Sequence, residues 1–421
     1  MAESPYAAIK IPHFRLLLVG RLLVTIAIQI QIMAVGWQVW GLTKNSLMLG
    51  LIGLVEVIPS ISVALYAGHV ADKVDRRTIA RAVIAALLMI MALLCFCSYA
   101  IKNVEVLIPA IYVLIAISGL ARGFYGPAVF GLVSDIVPRP LMGNAAAWNS
   151  AVWQASAVVG PILGGYLYLW SSAPATYLVS TLLLIGALAC FAFLQCEFLA
   201  PEQTDQSSVV ANIKEGLHFV FSNQVILGAM ALDLFAVLFG GAVALLPIFA
   251  QEIFHQGPQT LGMLRAAPSV GAFLTAAFLT HRPITKHAGR ILLVSVAGFG
   301  LCMIGFGLST NFYLSLFLLG LSGTLDGVSV YLRTTIFQLA TPNDMKGRVS
   351  AVNNIFIGSS NEIGEFESGV TAKIMGLVPS VVFGGCMTLF VVLTTAFKAP
   401  KLRRLNMQTL FKEEVVEPSV N

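Results

Sequence analysis

Several acidic residues of this sequence stand inside stretches that are otherwise apolar, and groups of this kind can bind protons. They are Glu56, Asp233, Asp326, Glu362 and Glu365. A charge at the centre of a bilayer costs roughly 2.5–3.5 kcal/mol, so such a side chain pairs with an opposite charge or faces a water-filled cavity. Partial removal from water favours the protonated form of a carboxyl group. The pattern therefore predicts proton binding or ion pairing within a membrane.

The apolar stretch near the end of the chain is the most polar of its kind. At ~100° per residue, Asn354, Asn361 and Glu365 fall on one face of a helix, and Glu362 flanks that face. Such a stripe predicts a helix that lines a water-filled cavity, with Glu365 and Glu362 as the first candidates for proton coupling. Glu56 is the reserve candidate, because it is the only acidic residue in the membrane interior of the first half.

Other polar residues within the apolar stretches are candidates for the wall of a substrate cavity. With Asn354 and Asn361, they are Arg21, Gln29, Gln31, Arg122, Asp233 and Asp326. Each charged member can equally be half of a static ion pair, and the sequence leaves both interpretations open.

The elements that position these residues are apolar helices. The chain of 421 residues is 57% hydrophobic and only 11% charged, where a soluble domain carries about 25% charged residues. Its mean hydropathy is +0.86. Apolar runs long enough to cross ~30 Å of hydrocarbon recur along the whole length. Because backbone groups in lipid must be satisfied internally, and the runs do not alternate as barrel strands do, they are predicted to be helices.

The predicted architecture is an all-α membrane protein with 12 spans in two six-helix halves. The spans cover residues 14–39, 47–71, 78–101, 106–134, 142–170, 173–195, 224–252, 259–280, 289–309, 311–338, 347–376 and 378–397. Residues 1–200 form the N-terminal half and residues 224–398 the C-terminal half. Residues 201–223 are a cytoplasmic linker with an amphipathic helix along the membrane surface, and residues 399–421 are a cytoplasmic tail.

Basic residues predict the orientation. With both termini in the cytoplasm, eighteen of the 25 Lys and Arg residues lie inside, three outside and four within spans. Short cytoplasmic loops of membrane proteins carry this excess. The net charge of +5 is accordingly a topology signal, and a nucleic-acid partner is not expected.

The two halves align with each other. A shift of 204 residues aligns seven identical residues that lie in, or just before, the fifth and eleventh spans, and it places Arg122 on Asp326. A shift of 212 residues places Arg21 on Asp233. Parallel repeats of this kind hold the substrate site near the bilayer midplane between the halves. Opposite charges at matched positions suit ion pairs across the repeat axis.

The loop after the second span resembles the signature loop of the major facilitator superfamily. Gly68 is followed four residues later by Asp72 and then by a basic pair that begins with Arg76. We expect Arg76 to bridge to Asp135 at the cytoplasmic end of the fourth span, and Asp72 to face the start of the eleventh span near Arg348. These five residues are the predicted gate on the cytoplasmic side.

Two further elements narrow the resemblance. Gly160-Pro-Ile-Leu-Gly-Gly165 resembles the Gly-Pro element in the fifth span of exporters of the superfamily. Asn361-Glu-Ile-Gly-Glu-Phe-Glu-Ser-Gly369 is similar to a segment of the subgroup that includes enterobactin exporters. The resemblance implies a proton-driven exporter in a bacterial inner membrane. The leading interpretation is therefore a proton-coupled exporter of a polar organic molecule such as a siderophore, with a monomer as the default state.

Other functions remain open on sequence alone. The nearest alternative is a broad multidrug efflux antiporter, which favours a cavity lined by aromatic residues and Met. A divalent-metal exporter is less favoured, because the spans lack a His/Cys/Asp ligand cluster. Neither a cofactor nor a resident metal is expected. The sequence shows no nucleophile motif or phosphate-binding loop, so a membrane enzyme is not favoured. A sensor that no longer transports would not need the carboxylates that the spans retain, so that alternative is not favoured either.

Overall fold

The computed structural model describes residues 6–195, 209–342 and 345–407, without the side chains at 65, 69, 72, 209–213, 346, 347, 350, 351, 354, 355, 357 and 359. Ten helices in this part of the chain are long and apolar enough to cross a membrane. Two more, of 29 and 30 residues, are as long but carry more Asn and Ser. The described residues contain no strand, and the predicted all-α architecture is confirmed.

The first of two compact units covers Met1–Asp205 and Phe249–Ala266. Its helices are α1 (Pro12–Thr43), α2 (Ser46–Lys73), α3 (Arg76–Ala100), α4 (Val104–Ile136), α5 (Met142–Trp170) and α6 (Ala173–Ala192). Asn45, Asp75 and Asn103 begin α2, α3 and α4, and each side chain accepts a hydrogen bond from a backbone N–H in the first turn. These caps satisfy donors that a helix start leaves open, so tight turns can join the long helices.

The second unit covers Gln206–Ile248 and Ala267–Asn421. Its helices are α7 (Val209–Ser222), α8 (Gln224–Gly240), α9 (Leu246–Ile248), α11 (Ala288–Leu308), α12 (Phe312–Ala340), α13 (Lys346–Met375), α14 (Leu377–Lys398) and α15 (Pro400–Arg403). Helix α10 (Pro258–His281) begins in the first unit and continues into the second. Ala229, Leu292, Leu332 and Leu402 are fully buried in the core of this unit.

The seventh predicted span, 224–252, corresponds to an apolar segment over Gln224–Ile253 that is long enough to cross a membrane, but it is not one continuous α-helix. Helix α8 ends at Gly240, and after two non-helical residues the chain continues as a 3-10 turn, α9 and a π-helical turn over Phe249–Ile253. Glycine disfavours helix by ~1 kcal/mol relative to Ala, and two stand together here. The Ser368 hydroxyl donates to the carbonyl oxygen of Gly241 at 2.9 Å and so satisfies the interrupted backbone.

Helix α7 packs against the start of α13 in the second unit, while its predicted position along the membrane surface stays a prediction. A Cβ on Gly216 would lie 2.9 Å from the carbonyl oxygen of Arg348 at the start of α13. Glu215 pairs with Arg348 at 2.9 Å. Val220 is 1% exposed and joins Val349 in one apolar cluster. The amphipathic pattern shows that the helix has an apolar face, but it does not identify what covers that face.

Candidate functional site

A cavity of about 220 Å³ lies between α8, α12 and α13 within the second unit. Its polar lining residues are Asp233, Asp326, Arg333, Thr334, Asn353, Ser360 and Asn361, and its apolar ones are Val237, Val330 and Phe337. The three helices thus bring charged, amide and hydroxyl groups together in one cavity. Such a wall suits a polar solute or a proton.

Arg333 lies between two carboxylates and is much closer to one of them than to the other. It forms a close ion pair with Asp233, while its Nη2 lies 3.9 Å from Oδ1 of Asp326. Its Nε also donates to the carbonyl oxygen of Ser329 at 3.3 Å. The side chains of Arg333 and Asp233 are 8% and 11% exposed, whereas that of Asp326 is 45% exposed. One guanidinium therefore neutralises the buried carboxylate, and Asp326 remains the accessible one on the cavity wall.

The spacing along α12 explains this arrangement. Asp326 and Arg333 are seven residues apart, which is two helical turns, so both side chains lie on the same face. Asp233 comes from the middle of α8, opposite that face. The sequence comparison had matched Asp233 and Asp326 with arginines of the first half. The structure gives each of them a partner, Arg333, in its own unit.

Helix α13 contributes the amide side of the cavity. Asn353, Ser360 and Asn361 line it, and Ser360 is buried. Gly364 faces α8, where a Cβ would lie 2.9 Å from the carbonyl oxygen of Leu238. The glycine allows the two helices to approach closely, and this approach brings Asn361 near the charged groups of α8 and α12. Sequence reasoning had selected Asn361 but missed Arg333, Asn353 and Ser360.

The other predicted residues of α13 lie beside this cavity or outside the described side chains. Glu365 is one turn beyond Asn361, or ~6 Å along the axis, and neither it nor Glu362 is among the lining residues. Both are half-buried, and neither is isolated. The side chain of Asn354 is outside the described part. The polar stripe therefore divides into a cavity-lining part and a neighbouring pair of carboxylates.

The first unit holds a separate ion pair between α2 and α4. Glu56 pairs closely with Arg122, and their side chains are 14% and 29% exposed. Gly119, one turn before Arg122, lies so close to the Glu56 carbonyl oxygen that a Cβ there would clash with it. Because Gly119 has no side chain, α2 and α4 pack closely here, and this packing places Glu56 and Arg122 beside each other. The reserve coupling candidate, Glu56, thus has a partner in its own unit.

The predicted polar groups of α1 do not form one cluster. Arg21 donates from Nη1 to the Asn149 side chain of α5 at 2.9 Å. Gln29 lies against Gly160 of α5, and a Cβ added to Gly160 would lie 2.5 Å from the Cβ of Gln29. Gln31 is 5% exposed, and its Oε1 has no hydrogen-bond partner in the described part of the chain. These residues share a helix but point toward different neighbours.

The predicted gate is described in part. Arg76 Nη1 and Asp135 Oδ1 are 2.5 Å apart, so the contact expected from the sequence is present. Gly68 has open space where a Cβ would stand. The side chain of Asp72 lies outside the described part, so its expected approach to Arg348 is untested. The gating role of these residues stays a prediction.

Asp135→Asn should destabilise the protein by ~3–5 kcal/mol, because it leaves a buried guanidinium without its carboxylate. Asp135 and Arg76 are 5% and 11% exposed. Asp75→Asn is the matched control, since its pair with Arg77 is 32% and 25% exposed and such pairs contribute ~0–1 kcal/mol. Thermal unfolding in detergent measures both. Equal losses in the two variants would contradict the assignment of Arg76–Asp135 as a buried structural pair.

The pH of this comparison can be chosen from the electrostatics of Asp75. The hydrogen bond from the Arg77 side chain holds the pKa of Asp75 below its ordinary value of 3.8. A lowered pKa contributes stability above the unfolded value, and this stability is lost as the pH falls through the folded pKa. At neutral pH the control pair is therefore fully charged. Asn at position 75 can still cap α3, so the main difference between the two variants is the burial of the pair that each one breaks.

The Gly-Pro element of α5 is a packing site for two helices of the first unit. Gly160 and Gly164 face α1, and a Cβ on Gly164 would lie 3.2 Å from Sδ of Met33. Gly165 faces the start of α10, where a Cβ would lie 2.7 Å from the carbonyl oxygen of Pro258. The Pro161 carbonyl in turn lies directly against Gly262 of α10. Small residues here let backbones touch, as they do in close packing of membrane helices.

Comparison with known proteins decides the family. Residues 3–421 match the family described as transmembrane secretion effector, a branch of the major facilitator superfamily. The chain belongs to this family. It is therefore a multi-pass membrane transporter with the major facilitator fold, as the resemblance of its motifs predicted.

Three relatives show how far the similarity extends within the superfamily. The chain is 25% identical to the uncharacterized transporter YfiS of Bacillus subtilis, over 80% of this chain and 81% of that protein. It is 24% identical to the enterobactin exporter EntS of Citrobacter koseri, over 93% of each. It is 19% identical to the staphyloferrin A transporter of Staphylococcus aureus, over 87% and 91%.

Solved structures agree on the fold. The chain is similar to a D-xylose–proton symporter with a TM-score of 0.74 and 14% identity, over 95% of this chain and 100% of that one. It is similar to a bacterial homologue of the lysosomal transporter Spinster with a TM-score of 0.68 and 12% identity, over 95% and 98%. At these identities the likeness concerns architecture alone.

Proposed function

We propose that this transporter is a proton-coupled exporter that moves a siderophore or similar polar organic molecule by alternating access. It acts in a bacterial inner membrane with both termini in the cytoplasm. The observation that carries the proposal is the cavity of the second unit, where Arg333 pairs closely with Asp233 and only loosely, at 3.9 Å, with the more exposed Asp326. The similarity to two siderophore transporters supports the substrate class.

In this proposal, transport is coupled because the proton and the solute compete for the carboxylate of Asp326. When Asp326 is ionised, the cavity wall carries two negative charges and one positive charge, which suits a hydrogen-bond donor or a cationic group of the solute. When it is protonated, the wall is neutral and that attraction is lost. A proton taken from the outer side and released inside therefore alternates with the solute, as an antiporter requires. Glu365, one turn beyond Asn361, and Glu362, the residue after Asn361, remain second candidates, followed by Glu56.

The composition of the wall bears on the multidrug alternative. Of the described lining residues only Phe337 is aromatic, and none is Met. Promiscuous sites rely on flexible Met and on aromatic surface. Amide and carboxylate groups instead favour a solute that is recognised through hydrogen bonds, and this supports a polar substrate class.

The proposal is tested with purified transporter in proteoliposomes that carry an imposed pH gradient. Radiolabelled catecholate and carboxylate siderophores are compared with a lipophilic cationic dye as the multidrug reference. We expect gradient-driven movement of a siderophore and a matching proton flux in the opposite direction. Transport of the dye with no movement of either siderophore would establish the multidrug alternative instead.

The orientation has its own test. Because the basic residues are concentrated in loops predicted to be cytoplasmic, a reporter that is active only in the periplasm should be silent when fused after Asn421. The same reporter inserted between Lys102 and Asn103, in a loop predicted to be outside, should be active. The opposite pattern would reverse the orientation, and with it the direction of transport proposed above.

A further inference from the structure

A second cavity, of about 380 Å³, lies in the first unit, away from the charged residues described above. It stands where α1, α3 and α5 end and α4 begins, at the end of the unit that the basic residues place outside. Its volume is within the ~300–1,000 Å³ of small-molecule sites. We propose that this cavity binds an anionic phospholipid of the outer leaflet, with its phosphate at Lys102 and part of an acyl chain inside.

The wall of this cavity has two chemically distinct parts. Leu42, Ile101, Val104 and Leu107 provide an apolar surface. Lys102 is the single charged residue among those that line it. A wall that is apolar with one cation at its edge matches an amphiphile that has an acyl chain and an anionic group. A sugar or a metal ion would need more polar groups than this wall supplies.

The inner end of the cavity is a fixed hydrogen-bond network. Gln38, which is 6% exposed, accepts at Oε1 from the Tyr177 hydroxyl at 2.8 Å and donates from Nε2 to Ser98 Oγ at 3.0 Å. An amide nitrogen has two N–H groups, so one remains for a guest such as an ester carbonyl. The network joins α1, α3 and α6 and so fixes the position of the Gln38 amide at this end of the cavity.

Lys102 is placed to meet an anion. Its Nζ lies 5.7 Å from the centroid of the Tyr99 ring, which orients the ammonium without neutralising it. Glu105 is the acidic residue nearest in the chain, and no ion pair joins the two in the described structure. Trp37 and Tyr168 also line the cavity. Trp, Tyr and Lys together are typical of the headgroup level of a membrane, which is where a phospholipid phosphate stands.

The test uses Trp37 as its reporter. A variant that keeps Trp37 and carries Phe at the other four tryptophans is reconstituted in phosphatidylcholine vesicles. Phosphatidylglycerol or phosphatidylcholine with brominated acyl chains, which quench Trp fluorescence on contact, is then titrated in. One Lys near an anionic surface contributes ~1 kcal/mol, so we expect half-maximal quenching at an about fivefold lower fraction of the brominated phosphatidylglycerol. Equal curves for the two lipids would overturn the proposal.

Two variants and one control locate the effect. Lys102→Gln should bring the phosphatidylglycerol curve onto the phosphatidylcholine curve, whereas Lys373→Gln, at another predicted outer lysine, should leave it unchanged. Gly41 lines the cavity, and a Cβ there meets no atom within 4 Å, so Gly41→Phe should compete with the acyl chain and remove the preference, with thermal unfolding as the check on packing. Glycerol phosphate, a headgroup without chains, should not reverse the quenching. Reversal, or a preference that survives Lys102→Gln, would contradict a lipid site here.

Discussion

Replacing Asp326 with Asn should reduce proton-driven efflux to background while the protein stays folded. Arg333 keeps its close partner Asp233, so the substitution leaves no buried charge unpaired. Asp326 is itself 45% exposed on the cavity wall, and Asn preserves its shape but cannot take up a proton. Solute exchange without a pH gradient should persist at reduced affinity and lose its pH dependence, because the neutral Asn wall resembles the protonated one. The measurement is solute and proton flux in proteoliposomes, with and without the gradient.

Asp233→Asn is the matched control, because it removes a carboxylate from the same arginine. Arg333 is 8% exposed, and leaving it without its close partner costs ~3–5 kcal/mol. This variant should therefore lose thermal stability, which Asp326→Asn should keep. Glu365→Gln and Glu362→Gln complete the series. Gradient-driven efflux at the parent rate in Asp326→Asn, together with its loss in Glu365→Gln, would move coupling to the neighbouring carboxylates of α13.

Adding one methyl group at Gly262 should slow transport by roughly 5- to 150-fold. The Cβ would meet the Pro161 carbonyl oxygen, so α5 and the start of α10 could no longer touch as they do. Overpacking of this kind costs ~1–3 kcal/mol. If the transport cycle makes and breaks this contact, the penalty shifts its equilibrium by that factor. Initial rates of solute efflux measure the effect.

Gly126→Ala gives the control for this prediction. It adds the same methyl group to a glycine of α4 that has no atom within 4 Å of the new Cβ. Its rate should match the parent rate. A cysteine at Gln259, in a cysteine-free background, should react faster with an impermeant maleimide in Gly262→Ala than in Gly126→Ala. Unchanged labelling and unchanged efflux in Gly262→Ala would show that the contact is not part of the cycle.

The sequence predicted the fold well, because the length of each apolar stretch matches the thickness of the hydrocarbon core that a helix must cross. Span limits were recovered within a few residues wherever the helix is regular. The span that begins at Gln224 was also recovered, but its interruption after Gly240 was not predicted, since mean hydropathy does not register a break in the backbone. The sequence also did not identify α13 as a neighbour of α7, because the apolar face of a helix can pack on protein or on lipid.

The candidate site was recovered in part for a related reason. Charges within spans identify Asp233 and Asp326, but the repeat suggested partners in the other half. A simpler signal was present: Asp326 and Arg333 stand seven residues apart on one helix face. The contact of Glu56 with Arg122 depends on how closely α2 and α4 approach each other at Gly119. A single sequence does not give the distance between two helices, so this contact could not be predicted.

The position of α7 bears on how this protein can be divided and recombined. Because Glu215, Gly216 and Val220 engage the start of α13, the helix is an integral part of the C-terminal half. Chimaeras with other family members should therefore exchange material before Val209 and not after Ser222. A gene cut within residues 196–208 should yield two polypeptides that complement each other when expressed together, whereas a cut after α7 would separate that helix from the surface it covers.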